Sequence, residues 1–150
     1  MDLDKLITEL QVDEGWRPFL YDDANGNKVT PGYRLEGHPT IGWGFAFDVS
    51  PLTMSEAIPI LENRASQKWV EVQELLPWAA VLPEDIQRAL SNMAYNMGTE
   101  TLATFTTFLS LLQAGKYSEA ADDLKTTLWA KQTGNRALRI IALIKGAGIT

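Results

Sequence analysis

Apolar residues recur at helical spacing from the start of the chain. Leu3, Leu6, Ile7 and Leu10 fall on one face, so residues 2 to about 12 are expected to form a short amphipathic helix. Gly15, directly after Glu14, supplies a stop. The period then vanishes. Residues 16–50 hold Pro18, Pro31 and Pro39 and five glycines from Gly26 to Gly44, with Pro51 just beyond. Asn25-Gly26 lies between apolar or aromatic runs and signals a hairpin, because the favoured two-residue turn needs residues that tolerate positive φ. A small β-sheet with irregular loops is expected here. Helical patterning returns with Thr53-x-x-Glu56, a capping box that starts a long helix reaching about Leu75, before Pro77. Pro59 inside that run is expected to kink or loosen its first turns. Pro83 suits a first helical position and Gly98 a terminal cap, which gives a helix over about 83–97. Shorter helices are expected over about 106–114, 117–127 and 134–145.

The order helix, small sheet, long helix, helical bundle predicts an α+β fold, mostly helical, in one domain spanning 1–150. Residues 13–52 are expected to form a small β lobe. Residues 1–12 and 53–150 are expected to form a helical lobe, joined to it by the long helix, with a ligand cleft between the two. There are no repeats, linkers or low-complexity stretches.

Composition narrows the chemistry. Hydrophobic residues make up 45% of the 150 and charged residues 21%, a globular balance. Cysteine is absent, which excludes a disulfide scaffold, a thiol nucleophile and thiolate metal sites. The single histidine, His38, excludes paired-histidine mechanisms and histidine-rich metal centres. Carboxylates remain: 19 acids against 13 bases, a net charge of −6. An acidic protein of pI near 4.7 is a poor general nucleic-acid binder, so no nucleic acid is expected as partner. The charge is uneven. Residues 1–75 carry 13 acids and 6 bases, whereas from Lys125 onward there are five bases and no acid. That run is read either as a solvated basic face or as a cationic lip beside an acidic site. The charged start lacks the basic and apolar regions of a signal peptide, and no stretch reaches the roughly 18 apolar residues of a membrane span. Synthesis in a cytoplasm without membrane insertion is the expectation.

Among carboxylate chemistries, glycoside hydrolysis needs one carboxyl that donates a proton and one that stays ionised, held apart on rigid elements. Asp13-Glu14-Gly15 at a helix end and Asp22-Asp23 near a strand supply acids, although acids at such spacing are usually surface residues. Asp22 to Asn27 hints at a calcium loop. With Gly26 at the sixth position, Tyr21 and Gly32 fall where oxygen ligands are needed, so no metal is assigned. His38 is read as a solvent or loop residue. Trp16, Trp43, Trp69, Trp78 and Trp129 are expected mostly in the core, with Trp16 and Trp129 the ones that can border a sugar.

Together these residues carry a resemblance. Asp13-Glu14-Gly15-Trp16-Arg17, Tyr21-x-Asp23 and Thr40-Ile41-Gly42-x-Gly44 resemble the start of a phage lysozyme of glycoside hydrolase family 24, T-even type. Glu14 to Asp23 fits the family spacing; Asp22 does not. Asn92 to Gly98, Phe105-Thr106, Ala120-Ala121 and Trp129-x-x-Gln132-Thr133-x-Asn135-Arg136-Ala137-x-Arg139 continue it in order, so the resemblance runs from about residue 3 to 146.

The resemblance implies a lysozyme-like fold and an endolysin: a muramidase that hydrolyses the β-1,4 bond between N-acetylmuramic acid and N-acetylglucosamine in bacterial peptidoglycan. It implies Glu14 as general acid. Asp23 either activates the attacking water or stabilises the oxocarbenium-like transition state, and Thr40 helps to place the water. The family is described as inverting, which requires carboxyls about 6.5–9.5 Å apart. Arg136 resembles an arginine that pairs with the catalytic glutamate. Tyr95, Phe108 and Asp123, with Arg136, fall at substrate-binding positions; Tyr95 stands where phenylalanine is familiar, Phe108 where serine can stand, Asp123 where asparagine can, and Ala46 where leucine can; for Phe108 a place in the bundle core is an equal alternative, and for Ala46 it is the favoured one. No cofactor or metal is implied. A monomer acting at the cell wall or periplasm is expected, with a separate holin for export. The alternatives are a lytic transglycosylase giving 1,6-anhydro products and a catalytically silent wall-binding module. Two departures stand out. Phe45 replaces the histidine of the T-even type, so that histidine's ion pair cannot form there. Asp23 and Thr40 are 17 apart against six in compact members, and the extra residues lie within Ala24–Pro39. They form either a longer hairpin without a role or a flap that adds substrate contacts.

Overall fold

Residues 1–147 are described by this computed structural model, and internal contacts divide the chain into two units, Met1–Ile58 and Pro59–Thr150. In the first unit, helix α1 covers Leu3–Glu14. Asp2 caps it by accepting the Lys5 N–H, and Gly15 closes it at φ 67°, donating to the Gln11 carbonyl. Strands β1 (Arg17–Asp22), β2 (Pro39–Gly42) and β3 (Phe45–Ala46) form an antiparallel sheet in that order. Tyr21 faces Thr40, Asp22 faces Pro39, and Thr40 faces Ala46. The register slips between Arg17 and Tyr21, which gives β1 two extra residues against β2.

The Asn25-Gly26 turn forms as expected. Gly26, at φ 74°, donates to the Asp22 carbonyl, and Asn27 accepts from the Asp22 N–H, so residues 27–29 return along β1. The chain then turns away at Thr30–Tyr33 and rejoins the sheet at Pro39. Residues 1–12 fall in the same unit as this sheet. Only Gly15 and Trp16 separate α1 from β1, so chain continuity keeps the end of α1 next to the sheet.

Helix α2 spans Met54–Leu75, and the division between units falls inside it, at Pro59. The capping box is made: the Glu56 carboxylate accepts the Thr53 N–H at 2.8 Å, and Thr53 Oγ1 accepts the Glu56 N–H at 3.4 Å. Pro59 removes one donor from the helix without ending it.

The second unit is helical. A 3₁₀ turn (Pro77–Val81) leads to α3 (Glu84–Met97), α4 (Thr99–Ala103), α5 (Thr106–Gln113), α6 (Tyr117–Thr126), α7 (Leu128–Thr133) and α8 (Asn135–Gly146). On α3, Ile86, Ala89, Leu90, Met93 and Ala94 are buried, the stripe expected of a helix with one face in a core. Helix α8 packs on α3, α6 and α7, and α5 packs on α6. The 3₁₀ turn, α4 and α7 have no counterpart in the sequence pattern. Each is five or six residues long, too short to show a period, and each is held by a buried anchor: Ala79, Leu102 and Trp129.

Candidate active site

The family-like motifs of the first unit converge on its sheet. Glu14, the last residue of α1, reaches the turn between β2 and β3. Its carboxylate lies over Gly44 so closely that a Cβ there would overlap it. Gly44 sits at φ 73° and Gly42 at φ 70°, a region that favours glycine. A Cβ on Gly42 would meet the Phe45 ring, with Trp16 next nearest. The Gly-x-Gly of the motif therefore does two jobs: it turns the hairpin, and it clears room for a carboxylate and a ring.

Asp23 follows β1 and is exposed. It lies just past β1, whose last two residues, Tyr21 and Asp22, face Thr40 and Pro39 of β2. Asp23 and His38 are joined twice. The Asp23 N–H donates to the His38 carbonyl at 3.1 Å, and the His38 N–H donates to Asp23 Oδ1 at 2.6 Å. Gly37 again leaves the room, since a Cβ there would overlap Asp23 Oδ1. Thr40, nearly fully buried, donates from Oγ1 to the same His38 carbonyl at 3.2 Å. Asp23 and Thr40 are thus brought together at one peptide group, although 17 residues apart in sequence.

Two side chains not singled out as site residues organise this region. Asp22 is fully buried and accepts four hydrogen bonds: from the N–H groups of Ala24 (3.0 Å), Glu36 (2.7 Å) and Gly37 (2.9 Å) and from the Tyr33 hydroxyl (3.2 Å). The Glu36 N–H above all holds its carboxyl below the usual aspartate pKa, against the effect of burial, and the other three donors add to this. His38, read as a solvent or loop residue, is exposed in the loop before β2 and places Nδ1 2.9 Å from Asp48 Oδ2. That hydrogen bond, then the Asp48 charge, raises the imidazole pKa above its ordinary value; the charges of Asp23 and Asp22 act the same way, and desolvation opposes them. The same bond lowers the Asp48 pKa. The available sequence signal was the acidic doublet at a strand end, where alternation gives each neighbour a different face.

Trp16 is exposed, not core, and its ring stands 4.5 Å from that of Trp43. Trp129 is buried and donates from Nε1 to Asn96 Oδ1 at 2.8 Å.

In the second unit, Tyr95 and Arg136 line one pocket of about 620 Å³, formed by α2, α3 and α8 with Trp69, Gln87, Ser91 and Asn92 among its walls. Tyr95 is 43% exposed, so its ring is available to a ligand. Asp123 lies elsewhere, in a shallower depression of about 270 Å³ beside Phe105 and Trp129. Phe108 does not belong to any such surface. It is fully buried on α5 with Leu109 and Leu112, so of its two readings the core one stands and the substrate contact does not. The i, i+1, i+4 spacing of those three residues was the signal that it faces a core. Among the described residues, no group of three or more His, Asp or Glu is arranged to hold a metal ion.

The phage lysozyme family model matches residues 12–144. A probable T4-type lysozyme 1 of Dictyostelium discoideum is 39% identical over 97 residues, 63% of this chain and 57% of that protein. A second, probable T4-type lysozyme 2 of the same organism, is 34% identical over 64 residues, 43% of this chain and 38% of its own length. The pre-baseplate central spike protein Gp5 of Enterobacteria phage T4 is 29% identical over 164 aligned positions, which cover 90% of this chain and 26% of that protein. The chain spans less than two thirds of each of these relatives.

Proposed function

This chain belongs to the phage lysozyme family, and from that membership we propose that it is a glycoside hydrolase, a muramidase that cleaves the β-1,4 bond between N-acetylmuramic acid and N-acetylglucosamine of peptidoglycan. Glu14 is the general acid: its proton passes to the glycosidic oxygen as the bond to the anomeric carbon breaks. Asp23 takes a proton from the water whose oxygen attacks that carbon. Thr40 helps to hold the water through its hydroxyl. Tyr95 and Arg136, which share a pocket in the helical unit, are the proposed contacts to the sugar chain there, and Asp123, in a separate depression, is another. The observation that carries this reading is the seating of two carboxylates beside the strand ends of one sheet, Glu14 against Gly44 in the β2–β3 turn and Asp23 against Gly37 in the loop before β2, with Thr40 sharing the His38 carbonyl with Asp23. A rigid element that holds each carboxylate while leaving it reachable is what such chemistry requires.

The proposed setting is host lysis, with the wall as site of action and a holin as the separate protein that lets the enzyme reach it. Similarity to a central spike protein over 90% of the chain supports a second setting for the same chemistry, as part of a spike assembly. Mass analysis of products from purified peptidoglycan tests the reaction. Hydrolysis gives reducing ends; 1,6-anhydro ends identify a transglycosylase. Glu14→Gln keeps the shape and cannot donate the proton, so it is expected to abolish product formation while the thermal midpoint stays close to wild type. Full activity in folded Glu14→Gln protein removes the mechanism, and wall binding without any product identifies a silent module.

A further inference from the structure

We propose that Asp22 is the positioning residue for Asp23, acting through the loop of residues 24–39; this rests on reading Asp23 as the carboxylate that activates water. Asp22 ends β1, and Asp23 follows it in the turn. Asp22 has no exposed surface, and its two oxygens are each used twice. Oδ1 accepts from Ala24 and Gly37, and Oδ2 from Glu36 and Tyr33. These partners come from both ends of the loop and from its middle, so one carboxylate clasps the whole segment.

The clasp continues directly to Asp23. Residues 36 and 37 donate to Asp22, and residue 38, the next in the chain, donates its N–H to Asp23 Oδ1 at 2.6 Å. Three consecutive peptide groups are therefore oriented together, and Gly37 lies against the Asp23 oxygen they present. Among the described residues, hydrogen-bond donors reach Asp23 only at Oδ1, so Oδ2 is the oxygen left for water. A loop this long has many conformations to lose on ordering. A buried charged acceptor with several N–H partners supplies a strong local restraint against that loss, because charge-assisted hydrogen bonds are about twice as strong as neutral ones. Tyr33 is itself held by the Asn25 amide at 2.9 Å, which links the clasp back to the hairpin turn. The added length of Ala24–Pro39 thus becomes part of the site: it carries the N–H that aims Asp23.

The test compares wild type with Asp22→Asn, Tyr33→Phe, Asp23→Ala and the double variants Asp22→Asn/Asp23→Ala and Tyr33→Phe/Asp23→Ala on solubilised peptidoglycan. Whichever way the introduced amide turns, its nitrogen meets donors that the carboxylate accepted. Asp22→Asn is expected to lower kcat about 10- to 100-fold, as small displacements of a reacting group do, with KM changed less than about twofold. It is expected to cause no further loss in the Asp23→Ala background, since it acts through that side chain. Tyr33→Phe, which removes one bond of four, is expected to lower kcat roughly two- to fivefold. The His38 amide proton in a nitrogen–proton correlation spectrum is expected downfield in wild type and shifted upfield in Asp22→Asn. The proposal is overturned if folded Asp22→Asn keeps the wild-type kcat, or if it loses the same factor in both Asp23 backgrounds. Where Asp22→Asn fails to fold, Tyr33→Phe in the two backgrounds decides by the same criterion. If Asp23→Ala itself keeps the wild-type kcat, the reading of Asp23 falls, and the positioning role falls with it.

Discussion

At the scale of the residue, the site depends on side chains that are missing as much as on those present. Gly44 and Gly37 stand where any Cβ would strike the carboxylates of Glu14 and Asp23. Gly44 also adopts φ 73°, so alanine there meets two obstacles, a backbone cost of about 1–2 kcal/mol and a displaced Glu14. Gly44→Ala is expected to lose roughly 100-fold in kcat, beyond its effect on the thermal midpoint. Gly115, also at φ 73° but with nothing within 4 Å, is the control: Gly115→Ala should lose stability and keep its activity per folded molecule. Equal kcat for Gly44→Ala and wild type would show that Glu14 needs no such seat. Glu14, Asp23 and Thr40 could be proposed from the sequence because short motifs mark them. Asp22 was passed over because its partners are mostly backbone N–H groups, and any residue but proline offers one.

At the scale of the element, the segment of residues 24–39 is where pattern reading stopped short. Its first turn was legible, since Asn25-Gly26 has a local chemical signature. Its return to the sheet was not, because that path is set by Asp22 and by the His38–Asp48 pair, contacts 10 to 15 residues apart. The pair gives the segment a pH dependence. The folded-state pKa of His38 is raised, so its contribution to stability is fully present below the ordinary histidine value of about 6.5 and is lost as pH rises through the raised value. That of Asp48 is lowered, so its contribution is present above the ordinary aspartate value and is lost as pH falls through the lowered one. The thermal midpoint of wild type minus that of His38→Gln is therefore expected to be largest near about pH 5–6 and to shrink at alkaline pH. A difference that stays constant from about pH 5 to 9 would rule the pair out as the cause. The short helices α4 and α7 illustrate the same limit. A five- or six-residue helix is decided by the surface that covers its anchor, here Leu102 or Trp129, more than by its own propensity.

At the scale of the whole molecule, the helical unit separates side chains that sequence resemblance grouped together. Tyr95 and Arg136 share a pocket, Asp123 lies in another depression, and Phe108 is inside the core. Phe108→Ala is accordingly expected to cost about 3–5 kcal/mol of stability through the lost burial and the cavity. Corrected for the folded fraction, its KM should match wild type. A raised KM with unchanged stability would restore the substrate role. The acid-free run from Lys125 is also modified by folding, since Lys145 reaches back to Asp122 at 2.6 Å and neutralises part of that positive charge locally.

The sequence by itself determined what is local: the Thr53-Glu56 capping box, the Gly15 and Gly98 stops, the Asn25-Gly26 turn and the α+β order; it also marked Glu14 and Asp23 as the candidate carboxylates. Only the tertiary structure decided which apolar side chain is core and which is open, and what Asp22 and His38 do. The physical reason is that period and caps are written within a few neighbouring residues, whereas burial depends on which distant segment covers a face. Backbone donors add to this. The N–H groups of Glu36, Gly37 and His38 become specific only when folding brings them to the carboxylates of Asp22 and Asp23.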